Sequence, residues 1–563
     1  MHHPLYETRD FGNIRELIDN SVALFGERNA FRIKRGSEQV CITYNEYQEK
    51  INGMVTALLS EGLSDAKIAI CSNNCYEYCL TYLSVICSGN VIVPIDKELH
   101  EDDILGILKA SDSEILICDD HFLKEHDVSA FADYRLIRIK GSGEERDDIE
   151  DFDAFVQKGI DMNAAGSELY KSYEQQPDKL CTLLFTSGTT GTSKGVMLCQ
   201  NNFAFEILSA MKVVKINPED RGISLLPLHH TFESSIIIFF AVYSGAEVTF
   251  CDSLKYVLRN MADFNPSVFV AVPLLLETVH SKLMKAVKKK RFGELQFKVG
   301  AAICRAADKF GIDLKKVFFK EIQDTFGGNM RLIICGGAPI DPQIIKDFDA
   351  FGIQVIFGYG LTECAPLAII NNDFVRTVDS IGEPLPGVEA KIIDEDENGV
   401  GELCVKGGMV MKGYYKNPEA TEEVLDGSGF LHTGDLGFVD KRGYYHITGR
   451  SKNVIVTSNG KNIYPEELEY HLCKSPFVSS AMVEGKKNEQ GELRVHAQIF
   501  PDKEEIKEYI DKEPNDSEIQ AIIKKVVDDV NASVPNFKKI KSFYVRPNDF
   551  VMTTTKKIKR SAN

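Results

Sequence analysis

Long apolar runs are missing from this chain. No stretch reaches the uninterrupted length of a membrane span, and the opening MHHPLYETRDFG lacks the charged-then-apolar order of a secretory leader. Positive charge is also scarce. Lys and Arg number 65 against 83 Asp and Glu, a net −18 that argues against general nucleic-acid binding, which needs a basic surface. Paired cysteine motifs are absent too. Most of the 14 cysteines lie in apolar runs such as LIICGG and VICSG, where a thiol acts as a small buried hydrophobe. Cys71, Cys75 and Cys79 could align on a helix, but no histidine or CxxC pair accompanies them, so core packing rather than a metal is expected. A reducing cytoplasm fits this usage. Tryptophan is lacking altogether.

What is present is ordinary in bulk and unusual in detail. At 563 residues the chain is long enough for more than one domain. ITYNEYQEKINGMVTALLSEG and YEYCLTYLSVICSG read as helices, with KIAIC, VIVPID, EILIC and YRLIRI as short strands around them. That alternation predicts layered α/β architecture. Residues 144–178 are acidic and weakly patterned, which predicts a surface connection. After about residue 385 short β segments and turns take over, and from about 450 a smaller unit of strands and helices follows.

Residues 184–198, LFTSGTTGTSKGVML, set a burst of hydroxyls and glycines and one lysine between two strand-like runs. Glycines let backbone amides approach a ligand closely, hydroxyls rotate to suit an acceptor, and Lys194 adds charge. Such a loop suits a phosphate chain. It is not a P-loop, which needs glycine before its lysine and Ser or Thr after it, whereas Ser193 precedes Lys194 and Gly195 follows. A surface linker would lack the flanking strands.

Further polar clusters follow in order. LLPLHHTFE places two histidines after an apolar strand, and RLIICGGAPI and VIFGYGLTECAP each put glycines where a strand ends, the ligand edge of an α/β sheet. LHTGDLG carries Asp435, GRSKN carries Arg450 and Lys452, and the tail reads TTTKKIKR. With TSGTTGTSKG, GYGLTE, TGDLG and NGKNIYPEELE in this order and spacing, the chain resembles the adenylate-forming acyl-activating enzymes from about residue 10 to its end. Those include acyl-CoA synthetases, luciferases and peptide-synthetase adenylation domains.

The resemblance implies a large N-terminal domain over 1–449, of layered α/β sheets with a small β-barrel-like part. A hinge at 450–455 and a small mobile α+β domain over 456–563 would complete it. It implies ATP and Mg²⁺, with CoA as acyl acceptor, and an acyl-adenylate intermediate. Thr186, Ser187, Gly188, Thr189, Thr190, Gly191 and Lys194 would hold the β- and γ-phosphates. Glu363 and Thr186 would place Mg²⁺, a hard cation that selects oxygen ligands. Gly337, Ala338 and Tyr359 would line the adenine slot, with Pro339, Gly360 and Thr362 also at the nucleotide, and Asp435 and Arg450 would hold the ribose. Lys557 is expected to reach the carboxylate and α-phosphate, with Glu363, Thr362 and His230 also at the reacting groups and Lys452 at the hinge.

Three departures from the family pattern stand out. Ser193 replaces a common proline, Lys556 stands where the tail motif has glycine, and no tryptophan gate can operate. PLHHTFE, the helix-prone insertion and SNGKNIYPEELE look most like long-chain fatty-acyl-CoA synthetases. A medium- or long-chain fatty acid is therefore the expected substrate, with a carrier protein as the other possible acceptor. FESS at 232–235 instead echoes amino-acid-activating relatives, through Glu233, which is expected to be a structural hydrogen-bonding residue; activation of an amino or aryl acid is the other reading. Residues 280–320 hold twelve Lys or Arg against three Asp or Glu. They read as a solvated helical face, as a contact with an anionic membrane, or as a basic docking surface for an acidic partner.

Overall fold

The computed structural model describes residues 3–36, 38–141, 148–186, 193–289, 293–308, 310, 312, 314–456, 461–487, 493–553 and 558–560. They fall into two compact units, one of residues 1–188, 192–389 and 406–429, the other of 189–191, 390–405 and 430–563.

The first unit is built on two large sheets. One runs, edge to edge, through Glu383–Pro384, Leu367–Ile370, Gln354–Gly360, Leu332–Gly336, Val268–Ala271, Arg221–Ser224, Glu247–Phe250, Asn29–Arg35 and Glu38–Thr43. Its inner strands are parallel, so their C-terminal ends share one edge. The second sheet runs through Glu150–Asp151, Arg135–Ile139, Ser113–Asp119, Lys67–Cys71, Val91–Pro94, Leu180–Thr186 and Lys194–Cys199. Both bear the continuous apolar runs of strands covered on two faces. KIAIC and VIVP, for instance, are buried almost throughout.

The helix Tyr44–Ser60 starts on a capping box in which Thr43 and Glu46 exchange side-chain and backbone hydrogen bonds. The helix Tyr76–Cys87 is buried at all twelve positions. It takes Cys79 into the core, as expected, and burial pushes the thiols of Cys71, Cys75 and Cys79 well above their usual range. Among the described residues no helix is long and apolar enough to cross a membrane.

One expectation fails. Residues 144–178 are not merely a surface connection, because Phe152–Ala164 is a helix that buries Phe152, Phe155, Val156 and Gly159. The acidic run EERDDIEDFD leading into it hides that spacing in the sequence. It meets the helix Tyr44–Ser60 at a glycine crossing, where a Cβ on Gly159 would lie 1.8 Å from the Gly53 carbonyl oxygen.

In the second unit, Glu389–Ile393, Gly401–Lys406, Leu431–Val439 and Tyr445–Arg450 form a four-stranded sheet. Val478–Lys487, Leu493–Pro501 and Ser542–Val545 form a three-stranded one. The helices Pro465–Cys473 and Asp516–Ser533 close a separate core over it, the latter burying Ile519, Ile523, Val526, Val527 and Val530 at helical spacing.

The glycine crossing makes a paired prediction. Gly159→Ala forces two backbones apart and should cost about 1–3 kcal/mol. Gly106→Ala, where a Cβ meets nothing within 4 Å, should gain roughly 0.5–1 kcal/mol from helix propensity. Urea denaturation midpoints should move in opposite directions.

Candidate functional site

Thr186 ends the strand next to the sheet's edge and Lys194 begins the edge strand, directly opposite it. The connection that holds Ser187, Gly188, Thr189, Thr190 and Gly191 lies outside the described residues. Its foot is pinned by two hydroxyls. Ser193 Oγ donates to the Thr186 carbonyl at 3.0 Å, and Thr186 Oγ1 donates to the Lys194 carbonyl at 3.4 Å. Segment 411–415 lies along the Lys194–Cys199 strand, with Tyr415 N donating to the Gly195 carbonyl at 2.7 Å and Met197 N to the Gly413 carbonyl at 3.0 Å.

That segment delivers a residue the sequence did not single out. The Lys194 ammonium sits 4.9 Å from the centre of the Tyr414 ring, a cation–π distance. The hydroxyl of the same tyrosine donates to Glu363 Oε1 at 2.9 Å. Burial first, and the Glu363 carboxylate next, hold the Tyr414 phenol far above its usual range, so it stays a donor. One ring thus fixes the loop's cation and the GYGLTE carboxylate together. Glu363 is further held by its backbone, whose carbonyl accepts from Met411 N at 2.9 Å.

The glycine clusters stand at neighbouring strand ends. Gly336 is in register with Gly358, and Gly337, Ala338 and Pro339 follow as an exposed turn, Gly337 at φ +89°. Tyr359 is half-buried opposite Ile369. Gly360 admits no side chain, since a Cβ there would lie 1.7 Å from the Pro366 carbonyl oxygen. Thr362 then opens the single turn Thr362–Cys364 that carries Glu363.

His230 follows the strand Arg221–Ser224 at the same edge of the sheet. Its carbonyl accepts from Ser234 N and Oγ at 3.0 and 3.1 Å, and its ring lies 4.2 Å from that of His229. Burial drives His229 down to about 3, so it is neutral at pH 7. The loop is braced from two sides. Asn74, from the other large sheet's edge, donates to Ser224 Oγ and the Leu226 carbonyl at 2.8 and 2.6 Å and accepts from Leu228 N at 3.0 Å. Fully buried Glu233 accepts from Ser224 Oγ and Leu225 N at 2.8 and 2.9 Å through Oε1. Its Oε2 has no hydrogen-bond partner among the described residues, and burial pushes the carboxyl up to about 8.

In the second unit, Asp435 and Arg450 face each other across an antiparallel pair, with Arg450 Nε 2.9 Å from Asp435 Oδ1. The turn before Asp435 is tightly held. Gly434, at φ +68°, donates its N–H to Glu402 Oε1 at 2.9 Å, and Thr433 Oγ1 donates to the Leu403 carbonyl at 2.6 Å. Glu402 Oε2 is 3.0 Å from His432 Nδ1, which lies 3.6 Å from Cys404 Sγ. Those three are the one group of potential metal ligands that converges among the described residues. Both Glu402 oxygens are engaged within the protein, so the group acts as a brace for the Asp435 turn. Lys452 is exposed in the turn Ser451–Asn453, and Lys557 lies outside the described residues.

Comparison with known proteins divides the chain in two. Residues 18–415 match the family described as AMP-binding enzyme, and residues 452–562 match AMP-binding enzyme C-terminal domain. The chain is 28% identical over 555 residues to "Long-chain-fatty-acid--CoA ligase FadD15" of Mycobacterium bovis, covering 92% of this chain and 90% of that one. It is 26% identical over 581 residues to "Long-chain-fatty-acid--[acyl-carrier-protein] ligase AEE15, chloroplastic" of Arabidopsis thaliana, covering 91% and 79%. Its fold is similar to the crystal structure of the anthranilate CoA ligase AuaEII in complex with anthranoyl-AMP, at a TM-score of 0.77 and 19% identity, covering 98% and 96%.

The buried carboxyl of Glu233 makes stability fall with pH. Below about 4.5 folded and unfolded chains both hold its proton, and from there to about 8 only the folded chain keeps it. The loss is at most roughly 1.4 kcal/mol per pH unit. Glu233→Gln removes that slope. The variant's denaturation midpoint should therefore gain on the parent's as pH rises from about 5 to about 8, and parallel curves would show the carboxyl ionised in the fold.

Proposed function

The chain belongs to the AMP-binding enzyme family, and on that premise we propose that it activates a medium- or long-chain fatty acid with ATP and passes the acyl group to CoA. It is an acid–thiol ligase. The observation that carries the reading is the shared grip of Tyr414 on Lys194 and Glu363. A cation suited to a phosphate and a carboxylate suited to a metal are held by one buried ring.

In the first step an oxygen of the fatty carboxylate bonds to the α-phosphorus, the bond to the bridging oxygen breaks, and pyrophosphate leaves. Two anions must meet, so neutralisation and positioning are the main tasks. Lys194 and the hydroxyls and amides of residues 186–191 take the β- and γ-phosphates. Lys557 supplies charge to the carboxylate and α-phosphate. Asp435, an acceptor-only group, takes the ribose hydroxyls with Arg450 beside it, and Gly337, Ala338, Pro339, Tyr359, Gly360 and Thr362 line the base. The Thr186 hydroxyl and the Glu363 carboxylate are hard oxygen donors that fit Mg²⁺, which when bound offsets the charge of the triphosphate.

In the second step the thiol sulfur bonds to the acyl carbon, the acyl–phosphate bond breaks and AMP leaves, while the thiol proton is lost. His230 lies on the carboxylate or thiol path. We assign residues 1–449 to adenylation, 450–455 with Lys452 to the hinge and 456–563 to the mobile domain. The start of the second family match at residue 452 supports that division.

Glu233 supports a fatty rather than an amino acid. Held neutral at pH 7 and bonded to its own loop, it offers no counter-charge to an α-ammonium group. A carrier-protein acceptor is the second reading, favoured by the likeness to a chain of that name. The fourteen cysteines form no disulfide among the described residues, in keeping with a cytoplasmic setting.

A peripheral membrane contact through 280–320 belongs to the same reading. The helix Gly293–Asp308 buries Ala301 and Cys304 against the core. Its other side shows solvent Leu295, Val299 and Ile303, four residues apart on one face. Phe310 is 82% and Val317 74% exposed, with Lys282, Lys298 and Lys320 exposed nearby in the chain. Apolar side chains among lysines suit an anionic bilayer surface.

Mass spectrometry of reactions with Mg-ATP and a ladder of fatty acids should find acyl-CoA and AMP only when CoA is present. Acyl-AMP left untouched by CoA would point to the carrier protein, and no product with any fatty acid would overturn the acid class. Lys557→Ala should lower acyl-adenylate formation by at least ~10²-fold. In co-sedimentation, the protein should bind vesicles of phosphatidylcholine with phosphatidylserine and not phosphatidylcholine alone. Salt, or Leu295→Ser with Val299→Ser, should release it. Failure to sediment at low salt, or a concentration-dependent dimer instead, would remove the membrane from the proposal.

A further inference from the structure

The C-terminal run is tied to the small domain at both of its ends. Before it, Ser480 Oγ donates to Asp549 Oδ1 at 2.6 Å. Met552 then bridges Ile558, and Lys559 N donates to the Val551 carbonyl at 2.9 Å, so the two arms pair. After it comes Arg560. Its Nη1 donates to the Val483 carbonyl at 2.8 Å and its Nη2 to Glu469 Oε1 at 2.5 Å, with Glu466 Oε1 3.8 Å away. The strand Val478–Lys487 therefore holds the run through Ser480 and Val483.

The acceptors of that guanidinium are themselves fixed. Glu466 and Glu469 are three apart on the helix Pro465–Cys473 and share a face. Glu469 Oε1 also accepts from Val483 N at 2.6 Å. Burial pushes its carboxyl up to about 7 while the guanidinium works against that rise. Glu466 Oε1 accepts from Asn453 Nδ2 at 2.6 Å, and Asn453 adjoins Lys452. One helix face thus ties the proposed hinge turn and the C-terminal run together. Lys557 is three residues from Arg560, within about 11 Å along even an extended chain. A guanidinium bonded to two acceptors is a far stiffer anchor than a lysine tip.

We propose that Arg560 is the positioning residue for Lys557. Seated on Glu469 and the Val483 carbonyl, it fixes the foot of the run carrying that lysine and so sets the rate of adenylation without touching the reactants. The proposal rests on the reading of Lys557 as the adenylation lysine.

The test separates the two half-reactions. Pyrophosphate release with fatty acid and Mg-ATP reads adenylation, and CoA added to synthetic acyl-adenylate reads thioester formation. Arg560→Ala should lower kcat for adenylation by about 10- to 100-fold, the scale of an ångström-level misplacement, and leave KM for ATP within about 2-fold. Thioester formation should keep its parental rate. Arg560→Lys, able to reach one acceptor, should recover part of the loss. Glu469→Gln, which keeps the hydrogen bonds but not the charge, should fall between them. Equal losses in both half-reactions would overturn the proposal in favour of general support, and so would a parental rate in Arg560→Ala. If that variant does not fold, Arg560→Lys and Glu469→Gln decide alone, parental adenylation in both overturning it. Full adenylation by Lys557→Ala would overturn the reading beneath, whatever Arg560 does.

Discussion

A buried aromatic ring that serves a cation with its face and an anion with its hydroxyl is the interaction on which the proposed phosphate edge depends. Tyr414 does both, and it can do so only because segment 411–415 is laid along the Lys194–Cys199 strand by backbone hydrogen bonds. Lys194 and Glu363 are far apart in sequence, one opening a strand of one large sheet and the other in a turn that follows a strand of the other sheet, so nothing local could set their separation. The ring supplies a rigid spacer between them. Its phenol stays protonated because burial and the neighbouring carboxylate both oppose ionisation.

Around that spacer the geometry is set by what glycine permits. The strand ends at Gly336 and Gly358 run side by side, and Gly360 passes so close to the Pro366 carbonyl that any Cβ would collide. The backbone, not a side chain, therefore faces the proposed ligand edge. On the His230 side the logic is reversed. There the loop is held from outside, by Asn74 and by a neutral Glu233 spending one oxygen on the loop's own donors.

Much of this was legible in the sequence, for identifiable reasons. KIAIC, VIVP and EILIC announce their strands because both faces are buried and the apolar runs are uninterrupted. Glycine clusters at strand ends mark the ligand edge because close approach requires them. The helix Phe152–Ala164 was missed because the acidic run EERDDIEDFD leads into it and Gly159 replaces an apolar side chain at the crossing. Tyr414 was missed because its partners lie about 50 and 220 residues away along the chain, a separation no local periodicity encodes. The only available hint was the aromatic pair in MKGYYKNP. Glu233 could be placed in a motif, but its neutrality comes from burial, which the residue name does not disclose.

The basic helical stretch has a consequence for how the protein moves rather than what it contacts. Twelve basic residues against three acidic ones, in a chain of net −18, separate charge strongly within one molecule. Near an anionic surface the net charge repels while that separation exerts a torque. On the proposed membrane reading the protein would be turned before it is drawn in, with the exposed Leu295, Val299 and Ile303 leading. Orientation would precede contact, and the approach would be selected by direction more than by strength of attraction. Screening within a Debye length of about 8 Å at physiological salt would, on that reading, let the local positive charge of this stretch outweigh the net negative charge of the whole chain.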